Sequence, residues 1–363
     1  MPWDLIDEKE NNFLERKQYM TMKDIAALAG VSVSTVSRVI NSVDNSFGSE
    51  EVRNRVWEAI RQTGYVPDTV ARSLRKKTGK ASKPLSKTLT LVFGRSKEPS
   101  DNPFFSQVAR AAEQQALQLG YVVTSTYSIF DIHDQHTLRN VTNNLVAGAI
   151  VLGRFDSATR KFFERHYKKN IVYVGLNAVE AEWDQVICDG YDIAQTVMKY
   201  LFQLGHVQIG YIGETLKEVR YLGYKEILEQ NKLEPNSAHI CDSPQTGAGG
   251  YAGANKLLTN GATLPSAVFC ANDICAIGAM RRFTEAGLRI PEDLTVVSID
   301  NVELAQYVSP MLTTVDVPKF ELGSEAVKLL VDRLEKGHRL PIKMVLPHNL
   351  LIRESSAPYH SKQ

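Results

Sequence analysis

Thr35, Ser37, Arg38 and Asn41 fall on one side of the segment 33–41, where each can donate to a phosphate oxygen or a base edge. The other side carries Val36, Val39 and Ile40, spaced i, i+3 and i+4 as on the buried face of a helix. Ser34 is expected to cap that helix. Val33, Ser34 and Arg38 stand at its start and middle, where sequence is read: Val33 by contact with a thymine methyl, Arg38 on guanine or on a phosphate. Thr35, Ser37 and Asn41 are the expected phosphate positioners.

A second group is scattered along the chain and united by its setting. Arg220 opens a helix after the apolar run 207–212, Asn272 directly follows 267–270, and Asp300 follows 294–299. In open parallel sheets the carboxyl ends of strands line the ligand crevice. A carboxylate that accepts two hydroxyls and a guanidinium that donates a fork of hydrogen bonds suit a polyhydroxylated ligand. Phe105, after Asn102-Pro103-Phe104, would cover the apolar face of a sugar from the facing lobe. Asp273 reads as the cap of the helix that follows it, and Asp300 has a cap role as its alternative. Asp189 reads as structural.

These groups need elements to hold them. Ile25, Ala26 and Leu28 give the segment before 33–41 an apolar face, and Ala29-Gly30 lets the chain turn. Two short helices joined in this way form a helix-turn-helix that offers its second helix to the major groove; an amphipathic hairpin is the plainer alternative. A third helix over 49–63 starts with Ser-Glu-Glu, stops at Gly64 and buries Val52, Val56, Ala59 and Ile60. Val70, Ala71 and Leu74 share one side of 68–77, a run too short to be helical alone. Residues 76–87 are basic and aperiodic and mark a boundary.

Beyond residue 88 apolar strands alternate with amphipathic helices. The expected strands are 88–93, 121–127, 149–152, 171–174, 207–212, 267–270 and 294–299. The expected helices are 105–119, 135–145, 158–168, 193–204, 221–230, 250–258 and 276–286. Such alternation gives parallel sheets covered on both faces. Two halves, crossed near 188–191 and 313–318, would enclose a cleft.

Composition narrows the function. The formal charge of the 363 residues is only +1, yet residues 20–83 carry 11 Lys/Arg against 6 Asp/Glu. Positive charge is thus gathered where phosphate must be neutralised. The four cysteines form no CxxC pair or zinc spacing, as in a reducing cytosol. No apolar run approaches the ~18 residues of a membrane span, and the N-terminus lacks a secretory signal; the expected location is cytoplasmic. GxSxG, HExxH and GxxxxGK[ST] are absent. His206 reads as structural, and Asp131 with His133 lacks a third partner, so no enzyme, cofactor or metal is expected.

Taken together, DIAALAGVSVSTVSRVIN, GYVPDTVARSLR, LGH, ANDICAIGAMRRFTEAGLRIPEDLTVVSIDN and SPMLTTV resemble the lactose/galactose repressor family of bacterial transcription regulators over about 22–354. The resemblance implies an α/β fold: a two-lobed periplasmic-binding-protein-like core of parallel sheets with an N-terminal all-α helix-turn-helix domain. The implied domains are an extension (1–19), the DNA-binding domain (20–66), a hinge helix and linker (67–87) and the effector domain (88–358). The N-lobe would comprise 88–189 and 318–337, and the C-lobe 190–317 and 338–358.

Leu74 matches the leucine that wedges into the minor groove when two hinge copies pair, and Ala71 the small residue that lets them approach. Arg220, Asn272 and Asp300 match effector contacts; Gln245 matches a position that carries an aromatic in some members. At the crossover Cys188 replaces another aromatic. The implied function is a repressor of carbohydrate genes, a homodimer on a pseudo-palindromic double-stranded operator, released by a sugar such as a galactoside or short oligosaccharide. Its alternatives are a regulator governed by a phosphocarrier protein corepressor, or one sensing a non-sugar metabolite.

Overall fold

The computed structural model describes residues 20–41, 47–63, 65, 87–95, 102–131, 141 and 146–360. The expected extension 1–19, the hinge with Ala71 and Leu74, Gly64, His133 and nearly all of the expected helix 135–145 lie outside them, as does the side chain of Asn41. The chain forms two compact units.

The smaller unit contains α1 (Met22–Ala29), α2 (Val33–Asn41), α3 (Glu50–Thr63) and a further helix, Ser157–Tyr167. Thr21 and Asp24 make a capping box at the start of α1, and Gly30 ends it in the left-handed conformation at φ 64°. Ile25, Ala26 and Ala29 are buried, whereas Leu28 is 58 % exposed. The inward stripe therefore runs through Ala29, one position on from the expected one. Val36, Val39 and Ile40 of α2 are buried, as are Val56, Trp57, Ala59 and Ile60 of α3. Trp57 takes the place expected for Val52, which is only partly covered.

The cap of α2 also differs from expectation. Ser32, not Ser34, accepts the Thr35 amide at 3.1 Å, so Val33 is already helical. The Ser32 hydroxyl also lies 2.8 Å from those of both Ser34 and Thr35.

The larger unit holds two six-stranded sheets. Sheet A orders its strands β11-β5-β4-β3-β1-β2, and sheet B β12-β10-β9-β8-β6-β7. In chain order they are β1 (Thr88–Phe93), α4 (Pro103–Gln118), β2 (Val122–Ser128), β3 (Gly148–Leu152), α5 (the Ser157–Tyr167 helix of the smaller unit), β4 (Ile171–Gly175) and β5 (Asp184–Ile187). The second series runs α6 (Gly190–Gln203), β6 (Ile209–Gly213), α7 (Val219–Gln230), β7 (Ile240–Asp242), α8 (Gly247–Thr259), β8 (Ala267–Cys270), α9 (Asp273–Glu285) and β9 (Thr295–Asp300). The tail adds β10 (Thr313–Asp316), α10 (Lys319–Leu334), β11 (Lys343–Val345) and β12 (Asn349–Leu351).

Among the described residues all pairings are parallel except β10 with β12. Buried β-branched and aromatic residues fill the central strands, as sheets covered on both faces require. α4 and α10 pack together beside sheet A, while α8 and α9 close the core of sheet B over Ile212, Val268 and Phe283.

The chain passes from sheet A to sheet B after β5, returns after β10 and passes again after β11. The last passage lies between Val345 and Asn349, not at 338 as expected. Buried Asp184 explains the delay: it pairs with Arg333 and accepts the Ile342 amide at 2.8 Å, which seats β11 beside β5. No described helix is long and apolar enough to cross a membrane.

Candidate functional site

In each sheet the chain order reverses beside the first strand, between β1 and β3 in sheet A and between β6 and β8 in sheet B. A doubly wound sheet has its natural crevice at the carboxyl ends of such a pair. Here one crevice gathers side chains from the ends of both sheets.

Sheet A contributes a repeated motif. Phe93 lies opposite Leu152, so Gly94-Arg95 and Gly153-Arg154 leave neighbouring strands side by side. A Cβ on Gly94 would meet the Arg154 carbonyl oxygen at 2.2 Å, and one on Gly153 (φ +83°) the Phe105 ring at 2.9 Å. The glycines thus let the two strand ends and the Phe105 ring pack close together. That ring is buried at the start of α4, packed edge to face on Phe104, and its amide is capped by Asn102.

Sheet B answers with carboxylates. Arg95 pairs with Glu214 and donates to Gln245 Oε1 at 2.7 Å. Arg154 reaches Glu214 at 3.4 Å and pairs with Glu218. The orientation that satisfies both ends of the Asn177 amide turns its oxygen to Arg154, accepting from Nε at 2.9 Å and Nη2 at 2.8 Å. None of Arg95, Arg154, Glu214 and Glu218 was anticipated from sequence. The twin Gly-Arg after apolar strands, LVFGR and IVLGR, was the available signal.

The five expected effector residues all line this crevice. Arg220, though, is largely spent on the protein. It gives Nε and Nη2 to Glu218 at 2.8 and 2.9 Å, Nη2 also to Gln245 at 2.8 Å, and Nη1 to the Ala271 carbonyl at 2.7 Å. One Nη1 proton is left over. Burial opposes charge on Glu218, but Arg220, Arg154 and Arg95 outweigh it and hold the carboxyl at about 2. Gln245 couples the arginines and donates to Glu218 at 3.1 Å.

Asn272, and not Asp273, caps α9, accepting the Cys275 amide at 2.9 Å; its Nδ2 donates to the Gln245 carbonyl at 3.2 Å. Asp273 is a buried brace that accepts from Thr314 at 2.6 Å, the Val302 amide at 2.8 Å and Ser298. Burial lifts it to about 6 against those bonds. Asp300 ends β9 at φ 117°, buried, and caps no helix. Its Oδ1 has no hydrogen-bond partner among the described residues. Burial, then the charge of Asp273, raises this carboxyl to about 8.

Residues predicted to be structural are so. Asp189 caps α6 through the Tyr191 amide at 3.0 Å. His206 bridges Ser266 at 2.9 Å and the Ala357 carbonyl at 3.0 Å. The four cysteines are buried and free, and burial pushes the Cys188 thiol up to about 12.

On the smaller unit, Val33, Ser34 and Arg38 are exposed and Thr35 and Ser37 partly so, opposite the buried stripe. The Arg38 guanidinium lies over the Phe47 ring, 5.2 Å from its centroid.

Residues 21–68 match the family described as "Bacterial regulatory proteins, lacI family", and 198–356 match "Periplasmic binding protein-like domain". The ribose operon repressor of Haemophilus influenzae is 34% identical over 340 residues, covering 92% of this chain and 98% of that protein. The HTH-type transcriptional repressor PurR of the same species (strain PittEE) is 30% identical over 350 residues, covering 92% and 98%. Among solved structures, the transcriptional regulator CelR–cellobiose complex superposes with a TM-score of 0.71 at 26% identity, over 93% of this chain and 99% of that one.

Proposed function

Since the chain belongs to the LacI family of bacterial regulatory proteins and is a DNA-binding transcriptional repressor, we propose that a small polyhydroxylated effector in the crevice releases it from its operator. One observation carries this reading: the inward, unpartnered Oδ1 of Asp300, set among donors that retain unused protons. Arg220, Gln245 and Asn272 each keep one N–H after their internal bonds are counted. Phe105 supplies the apolar wall. The ribose and cellobiose in the names of two similar proteins agree with a sugar; a galactoside or short oligosaccharide is the first to try.

DNA binding is assigned to Val33, Ser34 and Arg38 for sequence and to Thr35, Ser37 and Asn41 for phosphate. Ala71 and Leu74 would form the paired minor-groove wedge. The proposed division is headpiece 20–66, hinge and linker 67–87 and effector domain 88–358. A homodimer on a pseudo-palindromic operator follows, because two headpieces related by a two-fold need two half-sites.

The test is a gel-shift of the native upstream region with a panel of sugars. A sugar that releases the fragment from the native protein but not from Asp300→Ala supports the reading. Operator must lower the affinity for that sugar by the factor by which the sugar lowers the affinity for operator, typically ~5–150-fold. Independent affinities sink the mechanism. Operator binding tightened by a phosphocarrier protein, or release only by a non-sugar metabolite, moves the assignment to that class.

A further inference from the structure

We propose that the effector carries an anionic group, a phosphate or a carboxylate, which Arg95 and Arg154 bind by displacing Glu214. This rests on the reading of the crevice as the effector site and names its ligand more closely.

Two guanidiniums projecting side by side from β1 and β3 form a cradle for an anion, and planar forks of this kind match carboxylate and phosphate oxygens. Between them sits a carboxylate that the protein itself supplies from the opposite sheet. The two glutamates are not equivalent. Glu218 is wholly buried and doubly bonded to Arg220, so moving it would strand a buried cation. Glu214 is 37% exposed, and its side chain pairs only with Arg95 and Arg154 among the ionic groups described. Its backbone is pinned by the Tyr211 hydroxyl on its carbonyl oxygen at 3.0 Å, which leaves the side chain to swing.

Exchange favours a charged ligand. A neutral hydroxyl in place of Glu214 would leave Arg95 without a counter-charge and Arg154 with Glu218 alone, whereas an anion restores both charge-assisted pairs. The crevice also holds one cation in excess at neutral pH: three arginines face Glu214 and Glu218, while Asp300 keeps its proton. Burial, then the Arg220 charge, presses Arg95 below the ordinary guanidinium range, with Glu214 opposing. Displacement of Glu214 would also cut two ion pairs that tie sheet A to sheet B, which links occupancy to the lobe arrangement.

The experiment is calorimetry on the full-length protein with matched probes: ribose and ribose 5-phosphate, galactose and galactose 6-phosphate, glucose, glucose 6-phosphate and gluconate. The anionic member of at least one set should bind tenfold or more tightly than its neutral parent. The phosphate and gluconate arms then identify which anion is read. Glu214→Gln, nearly isosteric, should tighten that probe severalfold relative to its neutral parent. Arg154→Gln or Arg95→Gln should erase the preference, with thermal melts confirming the fold of each variant. A neutral sugar that binds as tightly as its anionic partners overturns the proposal and spares the effector site. So does a weaker preference for the anionic probe over its neutral parent in Glu214→Gln. Binding by no member of any set overturns both.

Discussion

Glu218 holds Arg220 two residues further along through both carboxylate oxygens, Oε1 to Nε at 2.8 Å and Oε2 to Nη2 at 2.9 Å, with both side chains buried. The residue expected to grip the effector is therefore itself gripped, and the pair acts as a fixed floor from which Gln245 and Arg154 are braced.

Removal of one partner strands the other. Glu218→Ala should cost about 3–5 kcal/mol in urea denaturation, because Arg220 and Arg154 lose a buried counter-charge. Replacement of Glu218 and Arg220 together by methionine should recover much of that loss. Glu218 titrates well below its ordinary value, so its contribution is present above the ordinary carboxylate range and disappears as pH falls through about 2.

Asp300 behaves in the opposite sense. Its folded value of about 8 lies above the unfolded one, so the native state keeps a proton that the unfolded chain has released. Stability from this group is complete in acid below the ordinary range and fades as pH climbs through about 8. Denaturation midpoints should decline between pH 6 and 9 in the native protein and stay level there in Asp300→Asn. The part contributed by Asp273, lifted to about 6, should remain below that window.

Ser32 and Ser34 offer a clean comparison. Ser32→Ala removes the cap of α2 and should cost ~1 kcal/mol, read as faster amide hydrogen exchange across α2. Ser34→Ala should cost much less. Equal effects would return the cap to Ser34.

Arg38→Ala should weaken operator binding. Loss of a bidentate guanine contact costs about 1–3 kcal/mol and relaxes preference at one base pair. A phosphate contact instead weakens all sequences alike and lowers the salt slope by about 1. Titrations of operator and scrambled DNA at several salt concentrations separate the two.

Much of the architecture was legible from pattern alone. β1 and β8 fall where their apolar runs predict, since each is bounded by a polar or glycine break. β5, β7, β10, β11 and β12 were not foreseen: each has only three or four residues, and Asp184, Asp242, Asp316 and Lys343 interrupt any run. Such strands are chosen by their neighbours. The crevice was legible at Asp300 and Phe105 from their position after a strand and before a helix. What stayed hidden was competition among side chains. Nothing in the spacing of Asn272 and Asp273 tells which one turns back to the helix and which turns inward to Ser298 and Thr314. Arg95 and Arg154 lie 59 positions apart and become neighbours only through the β1–β3 register.

Both sheets take an outer strand from the last stretch of the polypeptide, β11 beside β5 and β12 beside β10. During synthesis, then, sheet A cannot be finished until residue 345, nor sheet B until residue 351, has emerged from the ribosome. A message cut short upstream of residue 343 would yield a product with two bare strand edges. Such edges recruit other chains, so the product of a late nonsense mutation should precipitate or be degraded rather than persist as a partly active headpiece.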